Sequence, residues 1–297
     1  MTDQRIIDLS YQPARLRVSL ERLVIQRSGH EDTLVPLSEV AVLILCNRQI
    51  TVTQSVLGGL MCNGATVVAC DGRSMPVGMM LPLANHHLQA ERFAKQAQAS
   101  EPTRKRVWQQ IVRAKIRAQA HLLRDFRNTD GGLLRLAEEV RSGDPSNVEA
   151  QASRRYWKSL FDDASFRRNR EAEDQNRLLN YGYGVLRAIV ARAVCSAGLH
   201  PSVGLHHHNR YDAFCLADDL MEPYRVVVDR AVLHVVLQYG PQVPLDTSIK
   251  GNLIRALLDA APFQGERRSI FDCAARTASS LAHIYLGETK TLLLPEF

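Results

Sequence analysis

TRKRVWQQIVRAKIRAQAHLLRDF, residues 103–126, carries Trp108, Ile111, Val112, Ile116 and Leu123 at helical spacing, with arginines and lysines between them. An apolar stripe of that period is the mark of an amphipathic helix, here with its basic face expected in solvent. On the N-terminal side the pattern is different. RIIDLS, ARLRVSL, RLVIQR, VAVLIL and ATVVAC are short Val/Ile/Leu-rich runs separated by Gly, Asn and Asp, with a turn at SGHED, and read as strands. Between the last two runs, ITVTQSVLGGLMCNGA reads as one helix that Thr51 or Thr53 can cap and Asn63 and Gly64 can stop. On the C-terminal side the strand signal nearly vanishes from Leu83 onward. Helical periodicity recurs in LLRLAEEVRS, VEAQASRRYWKSLF, QNRLLNYGYGVLRAIVARAVCSAG, ADDLMEPYRVVVDRAVLHVVLQ, SIKGNLIRALLDAA and SIFDCAARTASSLAHIYL. The expected fold class is α+β: a small N-terminal β domain over residues 1–85 followed by an all-helical domain over residues 86–297, joined near residues 84–86.

With 297 residues, 45% hydrophobic and 23% charged, the chain has globular composition, which excludes an intrinsically disordered or fibrous protein. The opening MTDQRIIDLSYQPARLRV places charges where a secretory signal needs an apolar core, and no window holds 18 consecutive apolar residues. A bacterial cytoplasmic protein with no membrane partner is expected. The six cysteines lie far apart without a CxxC pair, so a zinc ribbon or redox dithiol has no support.

The formal net charge of +6 is unevenly spread. Residues 86–127 hold ten basic side chains against three acidic ones. Arg104, Lys105, Arg106, Arg113, Lys115 and Arg117 belong to this stretch, and a second basic run includes Arg154, Arg155, Arg167 and Arg168. Arginine dominates both, and its guanidinium fork suits phosphate oxygens. These ten residues are the candidates for DNA-backbone contact; a solvated helix face is the competing reading.

Three places concentrate groups able to hold a hard metal ion. The first is Glu149, early in the helix that continues through Arg154, Arg155 and Tyr156. The second is GLHHHNRYD, residues 204–212, with three adjacent histidines. The third is ADDLMEPYR, where Asp218, Asp219 and Glu222 fall at i, i+1 and i+4 of a new helix, which would put Asp218 and Glu222 on one face. Carboxylates with one imidazole suit Mg²⁺ or Mn²⁺. Such a site can activate an oxygen nucleophile and neutralise charge on a phosphodiester. A zinc-dependent hydrolase using His206 and His208 with a carboxylate, or a non-catalytic DNA-binding scaffold, are the alternatives.

EAQASRRYW from Glu149, LLNYGYGVL from Leu178, GLHHHN from Gly204 and DLMEPYRVVVD from Asp219 occur in the order and spacing of a known family. TVTQSVLGGLMCNGATVVACDG adds a similar helix-then-strand. Through these phrases the chain resembles CRISPR-associated protein one, the endonuclease and integrase of spacer acquisition, and most closely its type II branch. The resemblance implies Glu149, one loop histidine and Glu222 as metal ligands and catalytic residues. The family's usual distance between histidine and acid selects His207, with His206 as the alternative and Asp219 supporting from behind. It also implies Mg²⁺ or Mn²⁺ as cofactor and joining of the 3′-hydroxyl ends of a short DNA fragment into the CRISPR repeat array by direct transesterification. The implied assembly is a homodimer, with the N-terminal domain serving dimerisation and partner binding, in a complex with CRISPR-associated protein two and type II accessory proteins. One departure from the family is Ala118, where relatives often carry Asn.

Overall fold

The computed structural model describes residues 4–82, 84, 86–207 and 209–297. The chain divides into two compact units, residues 1–87 and 88–297.

The first unit holds β1 (Arg5–Leu9), β2 (Arg15–Ser19), β3 (Arg22–Gln26), β4 (Thr33–Pro36), β5 (Val40–Leu45), β6 (Thr51–Val52), α1 (Gln54–Cys62), β7 (Thr66–Cys70) and β8 (Pro76–Met80). One sheet has the order β1-β5-β7-β8, parallel except for its last pair; the other runs β4-β3-β2-β6. β5 is a continuous apolar run because it is the inner parallel strand with both faces covered, and five of its six residues are buried. The core joins Leu16, Leu23 and Ile25 of one sheet to Leu43 and Val67 of the other, with Val56 and Leu60 of α1. β4, β6 and β8 were not legible as strands: β6 has two residues, and β8 contains Pro76 and Gly78. The stretch read as one helix from Ile50 is strand β6 followed by α1. Thr53 precedes the helix, and Gly64 follows it with φ +70°, a conformation that favours glycine.

The second unit comprises α2 (Gln89–Ala97), α3 (Glu101–Arg127), α4 (Leu133–Glu139), α5 (Val148–Leu160), α6 (Gln175–Ser196), α7 (Cys215–Met221), α8 (Arg225–Tyr239), α9 (Thr247–Leu258), β9 (Ala260–Phe263), β10 (Glu266–Ser269) and α10 (Ile270–Tyr285). α6 is buried on most of its surface, with Arg177, Asn180, Arg187 and Arg192 among its half-buried positions. Ser100 caps α3 through Thr103 N, and Asp174 caps α6 through Asn176 N. Two corrections follow for the sequence reading of this unit. It is not all helix: β9 and β10 form an antiparallel hairpin whose two turn residues, Gln264 and Gly265, have φ of +51° and +75°. The stretch 217–238 is not one helix either. α7 ends at Met221, Glu222–Tyr224 form a 3₁₀ turn, and α8 begins at Arg225, because Pro223 has no N–H to continue the α-helical ladder.

Among the described residues no helix is long and apolar enough to cross a membrane.

Candidate active site

The 3₁₀ turn fixes the geometry of the acidic motif. The three carboxylates of the motif take different hydrogen-bond and ion-pair partners. Asp218 turns to Arg187, which donates Nε–H and Nη2–H bonds to its two oxygens at 2.6 Å each. Burial pushes the Asp218 carboxyl above the usual carboxylate range, and Arg187 pulls it back only in part. Asp218 is thus taken up by an internal ion pair with Arg187, while Arg225 stands close enough to act on both Asp218 and Glu222.

Asp219 organises the histidine loop. Its carboxylate is fully buried and accepts the backbone N–H groups of Leu205 (2.6 Å), His206 (3.0 Å) and His207 (3.3 Å). It also lies 2.5 Å from His207 Nδ1. An ionised carboxylate only accepts, so Nδ1 carries the proton and Nε2 keeps a lone pair facing away from Asp219 in the neutral ring. That hydrogen bond raises the His207 pKa above the ordinary histidine value against the opposing effect of burial, with weaker pulls from the Asp219, Glu222 and Asp218 charges. The loop needs Gly204. A Cβ there would stand 2.5 Å from the His207 carbonyl oxygen, 2.9 Å from Cys215 Cβ and 3.1 Å from Asp219 Oδ2. His206 is engaged elsewhere, its ring stacked on Trp108 with centroids 4.3 Å apart and planes 1° apart. Trp108 also meets His207 edge-on. His208 lies outside the described residues.

Glu149 reaches the site from the first turn of α5. Asp144 sets that turn by accepting from Val148 N and Glu149 N, both at 2.9 Å. Glu222 comes from the 3₁₀ turn. The Lys115 ammonium lies between the two, bonded to Glu149 Oε1 and 2.7 Å from Glu222 Oε2. Arg225 Nε lies 3.0 Å from the same Glu222 oxygen. Burial alone would raise the Glu222 carboxyl, but Arg225 and Lys115 outweigh it and hold the pKa down at about 2. Burial likewise opposes the Lys115 charge, and Glu222 and Glu149 more than compensate. Glu222 Oε2 and Arg225 Nε are buried without a well-aligned hydrogen bond, despite their proximity. Among the described residues, no group of three or more His, Cys, Asp and Glu side chains is drawn close enough to form a ready-made metal cage. Instead, two carboxylates have gathered about one cation, the lysine's own.

Behind Arg225 lies a buried network. Tyr156 on α5 donates to Asp229 at 2.7 Å, Tyr183 on α6 donates to the other Asp229 oxygen, and the Arg225 guanidinium lies over the Tyr183 ring at 4.6 Å. Desolvation raises Asp229 from 3.8 to about 6, despite the two tyrosine hydrogen bonds and the nearby arginines. Between those two values the unfolded chain loses the Asp229 proton first. The native state then binds more protons, so stability falls as pH rises through this window. The difference in unfolding free energy between wild type and Asp229→Asn should therefore decrease by up to about 3 kcal/mol from pH 4 to pH 7 and level off above, as measured by paired denaturant melts. A flat difference would show that Asp229 titrates alike in both states.

The family described as CRISPR associated protein Cas1 matches residues 9–242, which span all of these groups. The chain belongs to the Cas1 family. It is 38% identical over 285 residues to a CRISPR-associated endonuclease Cas1 of Neisseria meningitidis, covering 94% of this chain and 93% of that protein. A second Cas1 endonuclease, from Pyrobaculum aerophilum, is 28% identical over 94% of this chain and 95% of its own length. In fold the chain is similar to a casposase bound to integration product, with a TM-score of 0.78 at 20% identity over 97% of this chain and 92% of that one. It is also similar to a Cas1 protein from Thermotoga maritima, with a TM-score of 0.75 at 17% identity over 99% and 100%.

The basic candidates of this Cas1-family chain divide sharply. Lys105, Arg106, Arg117, Arg154, Arg155 and Arg167 are exposed. Lys105 pairs with Glu101 and Arg117 with Glu138, both at 2.7 Å. Arg104 is half-buried, as is Arg113, which donates to the Val140 carbonyl beyond the end of α4. Arg168 is committed to Asn176 and Asn180 and lies over the Tyr183 ring. Lys115, expected on a solvent-facing basic surface, is instead 8% exposed and lies between Glu149 and Glu222. The charge count missed this placement. The available signal was its position two turns after Trp108 on the stripe of α3 that packs inward.

Proposed function

We propose that this chain is a divalent-metal-dependent endonuclease and integrase of CRISPR adaptation, which joins the 3′-hydroxyl ends of a short DNA fragment into the CRISPR repeat array. The observation that carries the reading is the convergence of Glu149 and Glu222 on one cation, beside an imidazole whose Nδ1 is held by Asp219. The donor types fit Mg²⁺ or Mn²⁺. The lysine ammonium already stands as a cation between the two carboxylates, and Glu222 Oε2 is buried without a well-aligned partner.

Glu149, Glu222 and Nε2 of His207 would hold the ion. When bound, it supplies Lewis-acid polarisation of the attacked phosphate and eases ionisation of the attacking hydroxyl. Asp219 fixes the His207 tautomer and orientation, as a carboxylate behind a ligating imidazole does. In the proposed transfer the 3′-oxygen of the fragment forms a bond to phosphorus of the repeat strand. The bond from that phosphorus to the strand's own 3′-oxygen breaks, and the proton of the attacking hydroxyl is balanced by protonation of the leaving one. No covalent bond to the protein is needed. Half-site integration of a labelled fragment into a repeat-containing plasmid should require Mn²⁺ or Mg²⁺ and stop with chelator. Joining that persists in chelator would overturn the reading.

The exposed arginines would follow the DNA backbone. Replacing Arg106 and Arg117 by Ala should weaken two unrelated duplexes about equally and reduce the logarithmic salt slope by roughly 0.9 per lost phosphate contact. An unchanged slope in binding titrations would assign the face to solvent or protein. Arg113 is left out because its bond to the Val140 carbonyl makes its loss a stability change as well.

A homodimer, a complex with CRISPR-associated protein two and contact with type II accessory proteins complete the proposal. Solved relatives of the same fold include a Cas6-RT-Cas1–Cas2 complex. The N-terminal unit would supply dimer and partner contacts, for which its exposed Tyr11, Leu20 and Leu34 are suited.

A further inference from the structure

We propose that Lys115 is a tethered counter-ion that closes the metal site of this chain, and that a divalent ion enters only by displacing its ammonium from between Glu149 and Glu222. The inference rests on the metal-site reading above and assigns a role to a residue outside the ligand set.

Four observations carry it. The Lys115 side chain is 10% exposed, so its charge is not there for solubility. Its ammonium contacts both carboxylates, one from α5 and one from the 3₁₀ turn, at the place where a shared cation would compensate both. Glu222 keeps a second cation, Arg225, whose guanidinium is held over the Tyr183 ring, so Glu222 stays balanced when the lysine leaves. Glu149 has no second basic partner among its described contacts and is 29% exposed, which leaves its side a route by which an ion can approach. A lysine stem has four rotatable carbons, whereas Arg225 is pinned by its ring contact. Of the two cations at Glu222, the lysine is the movable one.

The consequence is competition. A divalent ion brings two charges to carboxylates that already hold one from the protein, and its net gain is reduced by the ion pairs it breaks. Removing the ammonium while keeping the stem's volume leaves Glu149 without a basic partner and Glu222 with Arg225 alone in the metal-free protein. That raises their appetite for an external cation. The released ammonium, deep in the site, then requires another anion, and the phosphodiester that binds beside the ion is of the right charge.

The test is calorimetric titration of the full-length protein with Mn²⁺ alone, together with the Mn²⁺-dependent shift in melting temperature. The proteins compared are wild type, Lys115→Met, Lys115→Gln, Lys115→Arg and Glu222→Gln. Both neutral variants should bind Mn²⁺ about tenfold more tightly than wild type and show a larger metal-induced rise in melting temperature. Lys115→Arg, which keeps the competing charge, should not gain affinity. Lys115→Gln keeps a hydrogen-bond donor between the carboxylates and guards against a Met variant that fails to fold. If wild type binds Mn²⁺ through Glu222 while neither neutral variant is tighter, the counter-ion role is overturned and the metal site stands. If Glu222→Gln binds as wild type does, or no protein in the set binds Mn²⁺, the metal-site reading falls and the inference with it.

Discussion

Glu222→Gln should reduce strand joining and DNA cleavage by about a thousandfold or more while leaving DNA affinity within a factor of about two, since the proposed function makes Glu222 a metal ligand worth several kcal/mol in the transition state and the exposed arginines are untouched. The glutamine is chosen because Glu222 is 6% exposed and flanked by Lys115 and Arg225. Truncation to alanine would leave Arg225 facing an emptied site and Lys115 with Glu149 alone. Stranding a buried partner in this way costs about 3–5 kcal/mol, so Glu222→Ala should also lower the melting temperature. Joining by Glu222→Gln at the wild-type rate, measured in the half-site assay, would remove Glu222 from the site.

The second large effect lies in the histidine loop and separates three neighbouring residues by mechanism. His207→Ala should bring joining close to background, because the imidazole backed by Asp219 is lost. His206→Ala should cost no more than about tenfold, since its ring contributes stacking on Trp108, a contact worth about 0.5–1.5 kcal/mol. Asp219→Asn is the sharper probe. An amide in place of the carboxylate can present N–H to His207 Nδ1, which reverses the tautomer and turns a proton outward at Nε2. Loss of such an outer partner lowers metal affinity or activity by about 10- to 100-fold. It also weakens the three backbone bonds that shape the loop. Equal damage at His206 and His207 would mean that the stacking contact, not the imidazole lone pair, is what the loop supplies. Damage at His206 alone would move the ligand by one residue.

Local physics made much of this chain legible before its fold was considered. The α3 stripe, the stop of α1 at Asn63 and Gly64 and the all-apolar β5 follow from periodicity and turn chemistry, although Thr53 precedes α1 without a side-chain cap bond. Those rules act within a few residues. The acidic motif shows where such rules stop. Helical spacing could group Asp218, Asp219 and Glu222, but it could not say that they would pair with Arg187, the histidine loop and Lys115 respectively.

By itself, the sequence determined the strand-rich beginning, the helical remainder, and the motifs at Glu149, Gly204 and Asp219 that carry the family resemblance. Only the tertiary structure decided that Lys115 leaves the basic face to stand between Glu149, 34 residues away, and Glu222. It alone put His206 on Trp108 and joined Tyr156 to Asp229 across 73 residues. The reason is physical. A side chain's preferred backbone is set by its neighbours in sequence, whereas the partner that compensates a buried charge is whichever group the packing of distant helices brings within about 3 Å.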